Sequence, residues 1–284
     1  KMDDYKESQL YRIRHSAAHV MAQAVLEMFP EGKIAIGPPI ENGFYYDFDL
    51  PRPLREDDLE RIEARMRQII HQDQAFIYRE VTAEEAKQVF KDQPYKLALI
   101  DDLLQRGTDE YGQPSSEPVK ISFYTHGSFT DLCRGPHVRS TAEINPHAIK
   151  LMSVAGAYWR GSEKNPMLQR LYGTAFETPK ELEDYLAFLA EVEKRDHRRL
   201  GKQLDLFSMN ADQIGSGLAL WHPKGALMRH LAEQFCKDAH LENGYDFVYT
   251  PHIGRAQLWQ TSGHLDFFKD NMYAPLNIDG QDYY

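Results

Sequence analysis

Two short stretches carry side chains that could do chemistry together: His15-Ser-Ala-Ala-His19 and Asp131-Leu-Cys-Arg-Gly-Pro-His137. In the first, two imidazoles are four residues apart. On a helix that spacing puts both on one face, about 6 Å apart along the axis. In the second, a thiol and an imidazole are also four apart across a Gly-Pro turn, and Cys133 is one of only 2 cysteines in the chain. His15, His19, Cys133 and His137 have donor types and spacings compatible with zinc. The same groups, with Lys96 and Asp131, could instead hold a hydrolytic water and the hydroxyls of an ester without a Lewis acid. The residues alone leave these two open, and also a third in which the cluster is only packed core. No P-loop, Gly-x-Gly-x-x-Gly or Gly-x-Ser-x-Gly elbow is present.

The elements that must position these groups follow from periodicity. Leu10, Ile13, Ala17, Met21, Ala24 and Met28 predict a helix over 7–29, stopped by Pro30 and Gly32, with the two histidines partly sheltered beside the buried stripe. Asn42-Gly43 between β-prone runs predicts a hairpin, with Phe44, Tyr46 and Phe48 on one face and Tyr45 and Asp47 on the other. A second amphipathic helix runs to about Asp73, and a strand follows at Phe76–Val81. Thr82-Ala-Glu-Glu85 is a capping box, and a helix after Pro94 has Lys96 at its start, where the helix dipole disfavours a cation. A polar loop is expected at 105–118. Strands at 119–124 and 126–131 then deliver the Cys133 turn, and further strands are expected at 149–154, 157–160 and 167–172. Thr178-Pro-Lys-Glu181 opens a long helix expected to run to Leu200 and close at Gly201. Beyond it, a helix at 226–241 with apolar face Leu227, Leu231 and Phe235, and a strand at 245–250, suggest an incomplete domain. Helices and strands alternate without βαβ spacing, so the fold class is α+β.

Composition bounds the function. At 284 residues, with 42% hydrophobic and 12% aromatic content, the chain is an ordinary globular protein long enough for two domains. Its net charge of −10 argues against coating nucleic acid by bulk electrostatics. The basic run Lys194, Arg195, Arg198, Arg199 and Lys202 could meet a phosphate backbone, or be a solvated helix face. Two cysteines cannot make a disulfide framework, and neither a signal peptide nor an apolar run of ~20 residues is visible. A cytoplasmic protein without a membrane partner is the expectation.

A family resemblance rests on many motifs in one order. His15-Ser-Ala-Ala-His19, Ile36-Gly-Pro-Pro-Ile-Glu-Asn-Gly-Phe-Tyr-Tyr-Asp47, Pro94-Tyr-Lys96, Asp131-Leu-Cys-Arg-Gly-Pro-His137 and Gly156-Ala-Tyr-Trp-Arg-Gly161 resemble the bacterial threonyl-tRNA synthetases. Met167–Ala175, Arg195–Phe207, Gly244–Pro251 and Leu258–His264 continue the likeness.

The resemblance implies an editing domain at 1–178, related in fold to that of alanyl-tRNA synthetase. It implies a linker helix at 179–202 and, at 203–284, the start of a class II antiparallel-sheet core that includes motif 1. The implied activity is ligation of threonine to tRNA(Thr), with hydrolysis of mischarged seryl-tRNA(Thr) in the editing domain. Serine and threonine differ by one methyl, worth only about 1–3 kcal/mol of discrimination, so a second sieve is the physical remedy. By carry-over, His15, Lys96, Asp131 and His137 act in the hydrolysis, while His19, Cys133, Tyr45 and Tyr46 line the pocket or contact the terminal ribose. The bacterial editing site is implied to work without metal, whereas the alanyl relative holds zinc at the similar cluster.

ATP, magnesium and one zinc serve the family's catalytic core, whose zinc ligands are expected beyond this chain. The implied partners are tRNA(Thr), threonine, ATP and a second copy of the chain. A stand-alone deacylase and a zinc-stabilised tRNA-binding module stay open as other readings.

Overall fold

A computed structural model describes residues 5–106 and 120–284. The chain divides into two compact units, Lys1–Lys194 and Arg195–Tyr284. The expected polar loop at 105–118 falls, from residue 107 on, outside the described residues.

The first unit begins with helix α1 (Gln9–Met28), whose N-terminus is capped by the Ser8 hydroxyl accepting from Tyr11 N–H at 3.1 Å. Strands β1 (Lys33–Ile34), β2 (Pro39–Ile40) and β3 (Gly43–Asp49) follow, then α2 (Glu56–His71). Next come β4 (Ile77–Val81), α3 (Ala83–Val89), α4 (Pro94–Arg106), β5 (Ile121–His126), β6 (Phe129–Leu132), β7 (Ile149–Tyr158), β8 (Met167–Ala175) and α5 (Pro179–Lys194).

Two antiparallel sheets result. One has the order β1-β3-β8-β7, with β2 beside β1 on the same edge of β3; the other is β4-β5-β6. The mixture of helices with antiparallel sheets agrees with the α+β expectation.

Each sheet has its own core. Phe44, Tyr46 and Phe48 of β3 pack with Ala17, Val20 and Met21 of α1 and with Ile62, Met66 and Ile69 of α2. Phe90 of the α3 C-terminus and Leu99, Ile100 and Leu103 of α4 pack with Ile121, Phe123 and Leu132 of the second sheet. Every residue of α1 from Ile13 to Val25 is buried, so the helix has no solvent face there and the two histidines are enclosed rather than partly sheltered. Its alanines and Ser16 let sheet and neighbouring helix approach on several sides.

Several elements differ from the sequence pattern. The hairpin forms, but Ile40 pairs with Gly43, so Glu41-Asn42 is the turn rather than Asn42-Gly43. Gly43 serves packing instead, because a Cβ there would lie 2.2 Å from the Gly173 carbonyl. The strands expected at 149–154 and 157–160 are one strand, β7, with a bulge between Leu151 and Ser153, followed by a single turn at Trp159–Gly161. Glu63 holds that bulge by accepting from Leu151 N–H at 2.8 Å. The helix expected to reach Leu200 stops at Lys194, because the Asp196 carboxylate captures Arg198 N–H at 2.7 Å and caps a new helix, α6 (His197–Gln203). Gly201 lies inside that helix, against the Phe207 ring, rather than closing it.

The second unit continues with the antiparallel pair β9 (Phe207–Met209) and β10 (Ala219–Trp221), and with α7 (Pro223–Glu242). Short helices α8 (Ala256–Thr261) and α9 (His264–Phe267) follow, then the hairpin β11 (Leu276–Ile278) and β12 (Gln281–Tyr283). The strand expected at 245–250 does not form, and its residues find no ladder partner among the described residues. The expected apolar face of α7 is exposed, with Phe235 at 74%. Among the described residues, no helix is long and apolar enough to cross a membrane.

Candidate active site

Helix α1, the start of α4, strand β3 and the end of β6 converge on one buried cluster. Ligand atoms of His15, His19, Cys133 and His137 all lie within 4.8 Å of one another. Cys133 Sγ sits 3.4 Å from His15 Nε2 and 3.3 Å from His137 Nε2, and it accepts from Gly135 N–H at 3.2 Å. Gly135 has φ +79 and lies against the Tyr124 ring, where a Cβ would come within 2.8 Å, so glycine is required for the turn to close here. His15 Nδ1 faces the Pro136 carbonyl at 3.2 Å. A carbonyl only accepts, so Nδ1 carries the proton and the Nε2 lone pair is aimed at the thiol. Ser16 ties the turn to α1, accepting from Val138 N–H at 3.1 Å and meeting His137 Nδ1 at 3.0 Å.

Beside the cluster is a buried ion pair. Lys96 Nζ lies 2.5 Å from Asp131 Oδ1, and the Tyr46 hydroxyl bridges the two, donating to Asp131 Oδ2 at 2.5 Å and accepting from Lys96 at 3.0 Å. Asp131 Oδ1 also accepts from Leu132 N–H at 2.8 Å. The remaining neighbour, His19 Nε2, lies 3.5 Å from Asp131 Oδ2. Burial pushes the imidazoles down: His15 to about 4, with the Pro136 carbonyl partly opposing the shift and Lys96 adding to it, and His19 and His137 well below the ordinary 6.5. All three are therefore neutral at pH 7, and Lys96 rather than His19 balances the Asp131 charge.

A cavity of about 10 Å³ opens among His15, His19, Ile36, Gly37, Lys96, Leu99, Asp131, Leu132 and Cys133. That is room for about one water molecule. Such a water would touch neutral imidazoles, an ammonium and a carboxylate, the groups ester hydrolysis needs. The four donors also fit a divalent metal. His15 and His137 each have their other ring nitrogen tied by a hydrogen bond, as oriented metal ligands do.

The structure thus brings together His15, His19, Lys96, Asp131, Cys133, His137 and Tyr46. Tyr45 is placed elsewhere. It lies on the opposite face of β3, with the Arg170 guanidinium 3.9 Å from its ring centre and Tyr172 beside it. The pleat separates the two tyrosines.

Three residues were not singled out from the sequence: Ser16, Phe76, which stacks on His137 at 4.9 Å, and His126, which is buried with its ring 6.4 Å from His19. The aromatic alternation along β4 and β5 was the available signal for Phe76 and His126. Ser16 had none, because its task depends on where the turn lands.

Comparison with known proteins bears on this cluster. Residues 121–172 match the family described as the threonyl and alanyl tRNA synthetase second additional domain, which takes in Asp131, Cys133 and His137. A longer match decides more: over 276 residues, 97% of this chain, it is 53% identical to the threonine–tRNA ligase of Dehalococcoides mccartyi. This chain is a relative of the threonine–tRNA ligases. The ligase of Borreliella burgdorferi is 52% identical over 280 residues, 98% of this chain.

The chain spans about half the length of these curated ligases, 45% and 46% respectively. A crystal structure described as the RNA binding domain of threonyl-tRNA synthetase from Cryptosporidium parvum Iowa II is 31% identical, covering 31% of this chain and 22% of that one, with a TM-score of 0.30. His15, His19, Tyr46 and Lys96 lie outside the domain match.

Proposed function

We propose that this chain carries the editing site of a threonine–tRNA ligase and hydrolyses the ester of seryl-tRNA(Thr). The observation that carries the proposal is the buried Lys96–Asp131–Tyr46 network facing a water-sized cavity beside neutral imidazoles. In this reading Asp131 receives the seryl ammonium and Lys96 faces the developing oxyanion. A neutral imidazole takes the proton of the attacking water. The tetrahedral intermediate then expels the terminal ribose oxygen, which regains that proton, leaving free serine and tRNA.

The same proposal takes residues 1–178 as the editing domain, 179–202 as the linker and 203–284 as the start of a class II core. Threonine, ATP, magnesium, the catalytic zinc and a second copy of the chain then belong to the whole ligase. tRNA(Thr) is the macromolecule that brings the ester.

One observation favours a second reading. The four donors His15, His19, Cys133 and His137 are close enough to hold zinc, which would supply a Lewis acid there. Hydrolysis of seryl-tRNA(Thr) beside threonyl-tRNA(Thr), with and without a strong chelator, separates the readings. Selective loss of the seryl ester that the chelator leaves unchanged supports the metal-free site. Chelator-sensitive loss supports zinc, and equal stability of both esters overturns the proposal.

A further inference from the structure

The motif Gly156-Ala-Tyr-Trp-Arg-Gly161 contributes no side chain to the cluster, yet its turn is built with unusual care. Arg160 has φ 55 and ψ 26, the left-handed region that non-glycine residues rarely occupy. Such a conformation persists where its surroundings over-determine it. Here they do: Trp159 N–H donates to the Pro166 carbonyl at 3.0 Å, and the Asn165 side chain donates to the Trp159 carbonyl at 2.8 Å.

What the turn holds is α4. The Arg160 guanidinium reaches the Asp102 carboxylate and the Ala98 carbonyl, the latter at 3.4 Å. The Trp159 ring meets Tyr95 edge-on at 5.1 Å, and the Tyr95 hydroxyl donates to Asp49 Oδ2 at 2.8 Å. Positions 95, 98 and 102 form one stripe of the helix, and 96, 99, 100 and 103 form the next. The first stripe is gripped by the turn. The second carries Lys96 and Leu99 into the cavity, with Ile100 and Leu103 in the core. A helix moves as a rigid piece over so short a span, so the seat of the first stripe fixes the second.

We propose that Trp159 and Arg160 are positioning residues for Lys96: they seat the start of α4 so that the ammonium meets Asp131 and Tyr46. The proposal rests on the reading of Lys96 as a group of the hydrolytic site. A misplacement of 1 Å at such a distance from the chemistry can cost ~100-fold in rate.

The test uses Arg160→Gly, which keeps the left-handed turn at no steric cost and removes the side chain with its guanidinium, and Arg160→Lys, which keeps the charge. Two readouts are followed. One is kcat against KM for seryl-tRNA(Thr) hydrolysis by the whole chain. The other is amine-selective labelling of Lys96 located by peptide mass spectrometry, with thiol labelling of Cys133 as the internal control.

Arg160→Gly is expected to lower kcat by about 10- to 100-fold with KM little changed. It should raise Lys96 labelling by about 10-fold while Cys133 labelling stays at the wild-type level. Arg160→Lys should fall between. Lys96 labelling that does not move, or that rises together with Cys133, overturns the proposal by showing that the turn only supports the fold at large. If the unaltered chain hydrolyses no seryl ester, the functional reading falls, and the labelling ratio still decides whether the turn positions Lys96.

Discussion

Lys96 and Asp131 are each about 2% exposed, so their charges are removed from water and answer chiefly to one another. Replacing one partner of such a pair leaves an uncompensated buried charge and costs about 3–5 kcal/mol. Lys96→Met is therefore expected to lower the urea midpoint strongly and abolish seryl ester hydrolysis. Lys96→Met with Asp131→Leu should regain much of the stability and none of the activity. Equal stability of the single and double variants would show that the pair is not coupled.

The tyrosines divide by face. Tyr46→Phe removes the hydroxyl that bridges the pair and should cut hydrolysis by at least about 10-fold. Tyr45→Phe, beneath Arg170, should leave it within about 2-fold.

Protonation gives a further expectation. His15 and His126 are held down to about 4 by burial, against an unfolded value of 6.5. Between those values the unfolded chain binds more protons than the folded one, so stability is full above pH 6.5 and falls as pH drops towards 4. Each such histidine contributes a slope of up to about 1.4 kcal/mol per pH unit. Thermal midpoints should be flat from pH 8 to 7 and fall steeply below 6.5; a midpoint unchanged down to pH 5 would refute this.

The i, i+4 imidazoles were legible in the sequence because one helix places them. The pairing of Lys96 with Asp131 was not legible from the residues alone. It depends on how α4 and β6 meet, and local periodicity says nothing about that.

At the scale of elements, the positions that decide the site are those where backbones or rings come unusually close. A Cβ on Gly37 would lie 2.0 Å from the Tyr46 ring, so Gly37→Ala must displace the ring that carries the bridging hydroxyl. It is expected to cost about 1–3 kcal/mol and to reduce hydrolysis as Tyr46→Phe does. Wild-type activity in this variant would mean that the ring's seat on β1–β2 is unimportant.

The sequence pattern placed α1 and α2 well, because each has a clear period and clear end signals, and it set the β5–β6 hairpin two to three residues early. It misplaced elements wherever a side chain overrode the period. Asp196 breaks one long apolar pattern into α5 and α6 by capping the second. Glu63 stitches a bulge that lets β7 run on as one strand. The run 245–250 has strand-like residues but no partner among the described residues, and β propensity expresses itself only where a neighbouring strand is present. The β11–β12 hairpin turns at Asp279-Gly280, both at positive φ, a pair the sequence displays openly between Ile278 and Gln281.

At the scale of the whole molecule, the two units differ in kind. Among the described residues, the buried apolar side chains run from Ile13 to Leu182, all within the first unit. The second unit leaves Phe235 74%, Val248 81% and Tyr249 99% exposed. Without buried apolar area an element has little to set against its conformational entropy, so the second unit's stability is local and low. Large exposed apolar surface also invites association.

A chain ending at Lys194 is therefore expected to keep the cooperative unfolding transition of the 284-residue chain, and to keep the proposed seryl ester hydrolysis, because the whole cluster lies within the first unit. In the full chain, amides of Arg195–Tyr284 should exchange with solvent far faster than those of α1 and β3, as read by hydrogen exchange and mass spectrometry. Slow exchange across 245–250, or loss of the unfolding transition on truncation at Lys194, would show that the second unit takes part in the cooperative fold. The same truncation removes Phe235, Val248 and Tyr249. It should also lower the binding of an environment-sensitive hydrophobic dye, and unchanged binding would place the exposed apolar surface in the first unit instead.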